Sequence, residues 1–93
     1  MKVQVTAEDI TEGCPINTLK CPVARAVSRA AGLPASVHWN KILVFDKPDE
    51  KGEYDSGFRE ERVFKEWDTP PEVTEQIKLF DDHQLISPFE FEL

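Results

Sequence analysis

The 93-residue chain has only two cysteines, four glycines and one methionine, and its longest aliphatic or aromatic run is the four residues Ile42-Leu43-Val44-Phe45. Each shortage excludes something. A run of that length falls far below the roughly 20 apolar residues that a membrane-spanning helix needs. Residues 1–9 contain no apolar block of the kind found in a secretory signal, so the expected location is cytoplasmic. Cys14 and Cys21 are too few for a disulfide scaffold, and a reducing compartment keeps them as thiols. The few glycines form no Gly-x-Gly-x-x-Gly, no phosphate-binding loop and no Gly-x-Ser-x-Gly, which removes the dinucleotide, P-loop and serine-hydrolase signatures. Positive charge is also short, with 11 Lys and Arg against 18 Asp and Glu for a net charge of −7. Phosphate contacts draw on Lys and Arg, so neither direct nucleic-acid binding nor adsorption to an anionic membrane is expected.

What is present fits one small core. Hydrophobic residues make up 40% and charged residues 31% of the chain, and six Phe, two Trp and one Tyr supply bulk for a single domain spanning residues 1–93. The charge is unevenly divided. Residues 1–46 hold five basic and four acidic side chains, whereas residues 47–93 hold six and fourteen, so the second half carries an acidic surface.

Local patterns predict the elements. Val3 and Val5 alternate with polar neighbours as in a strand with one buried face. Thr6 with Asp9 three residues on reads as a capping box for a short helix that Gly13 stops. Cys21-Pro22 opens a second helix with Val23, Ala26, Val27 and Ala30 as its apolar stripe, Arg25, Ser28 and Arg29 toward water, and Gly32 and Pro34 at its end. Residues 36–46 read as strand, but the apolar phase shifts from Val37 and Trp39 to Ile42 and Val44. Either Asn40-Lys41 is a bulge, or residues 42–45 are a strand covered on both faces. Residues 47–57, with Pro48, Gly52, Gly57 and four acidic residues, form a hairpin tip, and residues 58–67 form the return strand. Thr69-Pro70-Pro71-Glu72 reads as another capping box before a helix with Val73, Ile77 and Phe80 inward. Phe89, Phe91 and Leu93 alternate with Glu90 and Glu92 in a last strand pinned into the sheet.

The expected fold is therefore α+β in the order β-α-α-β-β-α-β. A mainly antiparallel sheet of about four strands packs on two helices, with one further short helix. Its core draws on Val3, Val5, Val23, Ala26, Val27, Ile42, Val44, Val73, Ile77, Phe80, Phe89 and Phe91.

Few residues carry chemistry. Cys21, at a helix N-cap, is the candidate nucleophile, because unpaired amides and the helix dipole favour a thiolate there. There is no Cys-x-x-Cys, and nothing in the local sequence puts His38 or His83 beside it, so a buried capping thiol is the reading preferred. Cys14, Cys21, His38 and His83 match no zinc-ligand spacing, the acidic residues around Gly52 fail the EF-hand frame, and Asp81-Asp82-His83 reads as a polar connection. No metal or cofactor is expected. Phe64 with Trp67, and Phe89 with Phe91, are core aromatics, since no basic groove accompanies them.

The stretches Val3-Gln4-Val5-Thr6-Ala7-Glu8-Asp9-Ile10 with Gly13, then Cys21-Pro22-Val23-Ala24-Arg25-Ala26, then Pro70-Pro71-Glu72-Val73 and Pro88-Phe89-Glu90-Phe91, together resemble short uncharacterised proteins of bacteria and their phages. The resemblance covers about half the chain and implies a prokaryotic, phage or mobile-element origin, with no activity attached. The function expected is a non-enzymatic protein-binding module, a regulator or inhibitor. Its partner is another protein, and Tyr54, Arg59, Arg62 and Trp67 on the hairpin form the contact surface. The alternatives are an acidic mimic of nucleic acid that occupies a basic cleft and a thiol-dependent enzyme using Cys21. An exposed edge strand would also allow a homodimer.

Overall fold

Val3 and Val5 are buried while Lys2 and Gln4 between them are exposed, and that alternation sets the first contact of the fold. The computed structural model describes residues 1–46 and 63–93. Within them lie β1 (Lys2–Val5), α1 (Ala7–Glu12), α2 (Pro22–Ala31), β2 (Ala35–Val37), β3 (Lys41–Phe45), β4 (Val63–Asp68), α3 (Pro71–Asp81) and β5 (Phe89–Glu92). The hairpin tip with Tyr54, and the part of the return strand holding Arg59 and Arg62, lie outside the described residues.

The fold is α+β, as the patterning predicts. β1 pairs antiparallel with β5, Val3 opposite Phe91 and Val5 opposite Phe89, which pins the last strand. The chain ends meet there: the Met1 ammonium donates to the Leu93 carbonyl at 2.6 Å, and the Leu93 N–H donates to the Met1 carbonyl at 2.9 Å. β2, β3 and β4 form a separate antiparallel sheet in that order. α2 packs on β1 and on the β2–β3 pair, joining the two sheets. Val3, Val5, Val23, Ala26, Val27, Ile42, Val44, Val73, Ile77 and Phe91 are all buried in the resulting core, with Phe89 packed against its margin and Phe80 half-buried. Leu43 and Phe45 are buried as well but belong to the opposite face of β3, so the apolar run is covered on both sides.

Four details differ from the expectation, each for a physical reason. Among the described residues, five strands in two sheets replace about four in one, because residues 35–45 form two strands. The phase shift there marks a turn and not a bulge. Val37 stands directly opposite Ile42, and the His38 N–H donates to the Lys41 carbonyl at 2.7 Å. Directly paired residues share a face, so an odd-numbered residue on β2 must match an even-numbered one on β3. The irregularity of register falls instead between Val44 and Phe45.

Thr69 does not cap α3. Pro70 takes the N-cap position with no side-chain bond, which leaves Thr69 one residue too early, and its hydroxyl donates to the His38 carbonyl at 2.8 Å. Ala30 is exposed and Ala24 buried, since the buried arc of α2 is confined to residues 22–27. Phe64 is exposed, at the point where the β3–β4 register skips it, Lys65 standing opposite Val44 and Val63 opposite Phe45. The box read for α1 and the caps read for α2 hold: Thr6 and Asp9 cap each other's turn, Cys21 Sγ accepts the Ala24 N–H at 3.3 Å, and Gly32 closes α2 at φ 70°.

Candidate functional site

The loop of residues 13–20 is closed on itself before it meets anything else. The Cys14 N–H donates to the Lys20 carbonyl, the Cys21 N–H to the Asn17 carbonyl, and the N–H groups of Leu19 and Lys20 both donate to Asn17 Oδ1 at 3.0 Å. This side-chain turn is what asparagine does well in a loop. The Thr18 carbonyl then accepts the Val37 N–H at 2.8 Å, which lays the loop along β2. At its apex Ile16 adopts φ 53°, a left-handed conformation that is costly for a β-branched residue, and the residue is 77% exposed.

The β2–β3 turn faces this loop and is bolted to α3 and to Thr69 just ahead of it. His38, Trp39 and Asn40 each lose a carbonyl to it: Thr69 gives its hydroxyl to His38 and its N–H to Asn40 at 3.1 Å, and Thr74 gives its hydroxyl to Trp39 at 2.6 Å. Asp81, in the last turn of α3, completes the assembly. One carboxylate oxygen accepts the Ile16 N–H at 2.8 Å, and the other accepts the Trp39 indole N–H at 3.3 Å. The Lys78 ammonium lies 4.9 Å from the centroid of the Trp39 ring. Trp39 is thereby fixed at both its backbone and its ring while 54% of it remains in water.

Between these parts lies a cleft of about 250 Å³, lined by Ile16, Asn17, Thr18, Cys21, Val37, His38, Trp39, Ile77 and Asp81. The structure thus brings His38 to the same cleft as Cys21, which nothing in the local sequence indicates. His38 Nε2 lies 3.0 Å from Ser36 Oγ. Burial pushes the Cys21 thiol up to about 11, and the helix amides of Ala24 and Val23 offset only part of that rise. At neutral pH the group is therefore a protonated thiol, and the dipole argument for a thiolate is outweighed by desolvation. Cys14 is exposed and His83 stands beyond α3. Among the described residues, no group of three or more His, Cys, Asp or Glu side chains is disposed to hold a metal ion.

Of the hairpin residues, only Trp67 is described. It is half-buried against the core opposite Ile42, with the Lys65 ammonium 5.2 Å from its ring. Nothing in the sequence marks Ile16, Trp39 and Asp81 as one site. The one available signal was the phase shift after Trp39, which places that residue at a turn.

A second polar cluster is structural. Asp9 is fully buried, takes the Thr6 N–H at 2.9 Å, and is held by Arg29 Nη1 at 2.8 Å, Arg29 Nη2 at 2.7 Å and Arg25 Nε at 3.4 Å. Arg25 and Arg29 therefore do more than face water. Burial pushes the Asp9 carboxyl up, but the Arg29 guanidinium and the Thr6 hydrogen bonds outweigh it and hold the group at about 2. Arg29 Nη2 also donates to the Gln4 carbonyl at 2.7 Å, so the cluster ties α1 and α2 to β1.

Among the described residues, no helix is long and apolar enough to cross a membrane. Comparison with protein-family profiles, with curated proteins and with solved structures finds no match to this chain.

Proposed function

We propose that this protein is a non-enzymatic protein-binding module whose contact surface is the cleft flanked by Ile16 and Trp39. The observation that carries the reading is the rigid display of Trp39. A half-exposed indole forgoes burial, yet the turn that presents it is fixed by hydrogen bonds donated by Thr69 and Thr74, and the indole N–H itself donates to Asp81. Pre-ordered aromatic anchors of this kind dominate binding energy at interfaces, because little side-chain freedom remains to be lost on association. The strained, outward Ile16 across the cleft adds a second apolar contact. The protonated state of Cys21 favours binding over thiol chemistry. A bacterial or phage setting rests on the resemblance of the two chain ends and belongs to the same proposal.

The test is affinity capture from a lysate of the cells that encode the protein, with wild type and Trp39→Ala compared side by side. A stoichiometric partner retained by wild type and lost by the equally stable variant supports the reading. A partner that binds both alike places the contact surface elsewhere.

A further inference from the structure

The chemistry of the cleft says what enters it, and this step rests on the binding-module reading above. At about 250 Å³ the cleft is smaller than the roughly 300–1,000 Å³ typical of sites for drug-sized ligands, so it suits one inserted side chain. Its lining pairs apolar surface from Val37, Ile77 and Cys21 with the Trp39 ring and one carboxylate, that of Asp81, and includes no Lys or Arg. Each Asp81 oxygen already accepts one protein donor. A carboxylate offers about four lone-pair positions, so both oxygens retain capacity for a further donor. The Trp39 ring already draws an ammonium of the chain itself, Lys78, which is not among the lining residues. The helix that supplies Asp81, α3, carries two further acidic side chains, Glu72 and Glu75, and one basic one, Lys78.

We infer that the cleft receives a lysine or arginine side chain of the partner protein. Its methylene stem lies along Val37, Ile77 and the indole, and its cationic head reaches the Asp81 carboxylate. Long basic side chains divide in this way between apolar and charged surroundings, and a carboxylate beside an aromatic ring favours a cation. The Cys21 thiol, pushed up to about 11 by burial, supplies no second anion at neutral pH.

The experiment uses blocked pentapeptides of glycine with lysine, norleucine or glutamate at the centre, titrated at pH 8 while the Trp39 indole N–H and the Ile16 amide are followed by NMR. The lysine peptide is expected to bind at least threefold more tightly than the norleucine peptide, with glutamate weakest. Asp81→Asn should remove the lysine preference while leaving norleucine binding in place. Circular dichroism checks that this variant is folded, and if it is not, the wild-type ranking decides alone. Equal binding of lysine and norleucine overturns the cation while the apolar surface stands. If none of the three peptides moves either signal, the cleft itself is overturned as a binding site.

Discussion

Arg29 grips the buried carboxylate of Asp9 with both terminal nitrogens, 2.8 Å to one oxygen and 2.7 Å to the other. The pair is asymmetric, since the Asp9 side chain is 1% exposed and that of Arg29 is 51% exposed. Removing Arg29 therefore strands a buried anion, whereas removing Asp9 leaves a guanidinium that water can solvate. Arg29→Met should cost about 3 kcal/mol and Asp9→Asn about 2 kcal/mol, in the lower part of the range for broken buried pairs. Urea denaturation measures both, and a loss below about 1 kcal/mol for Arg29→Met would show that Arg25 alone suffices.

The same pair sets an acid limit. The folded-state value for Asp9 is about 2, below the ordinary 3.8, so its contribution is complete above pH 3.8 and disappears as the pH falls toward 2. That difference is worth about 2 kcal/mol at neutral pH. Stability of the wild type should drop through this window more steeply than that of Asp9→Asn, and parallel curves would assign the acid sensitivity to other carboxylates.

The two described glycines at helix ends should fail by different routes. A Cβ on Gly13 would lie 2.7 Å from the Asp9 carbonyl and 2.8 Å from the Pro22 ring, so Gly13→Ala should cost about 2–3 kcal/mol by overpacking. At Gly32 a Cβ meets nothing within 4 Å, and the cost of Gly32→Ala, about 1 kcal/mol, comes from φ 70° alone. Asparagine tolerates that conformation, so Gly32→Asn should be milder than Gly32→Ala, while Gly13→Asn should be no better than Gly13→Ala.

Local chemistry was legible and distant chemistry was not. The Thr6–Asp9 box, the Cys21-Pro22 start and the Gly32 stop are decided within four residues, and each forms as read. Thr69 shows the limit. Its spacing to Glu72 is that of a capping box, but Pro70 moves the helix start, and a carbonyl 31 residues away takes the hydroxyl. The turn at His38, Trp39 and Asn40 has no glycine to announce it, and only the change of apolar phase betrays it. The cleft was hidden for a stronger reason. Asp81 meets Ile16 across 65 residues and Trp39 across 42, and the strained Ile16 has no sequence signature at all.

The cysteines should separate by access. Cys14 is exposed, whereas Cys21 is buried with its thiol pushed up to about 11. A thiol-reactive disulfide reagent at pH 8 should therefore label one cysteine per native chain within minutes and the second only on unfolding. Peptide mapping should place the first label on Cys14. Rapid labelling of Cys21 in the folded protein, with an apparent value below about 8.5, would restore the thiol-dependent reading.

The two tryptophans provide the sharpest contrast between surface and core. Trp67 packs against the core opposite Ile42, so Trp67→Ala should cost about 2–3 kcal/mol, less than for a fully buried tryptophan. Trp39 contributes one indole hydrogen bond and a contact with Lys78, and Trp39→Ala should cost about 1 kcal/mol or less. Urea unfolding of the two variants measures the difference. If the order is reversed, Trp39 is a structural clamp for the loop and α3, and its exposure no longer argues for a partner. If the order holds, the fold gains little from holding an indole in water, which is the condition that the proposed contact role of Trp39 requires.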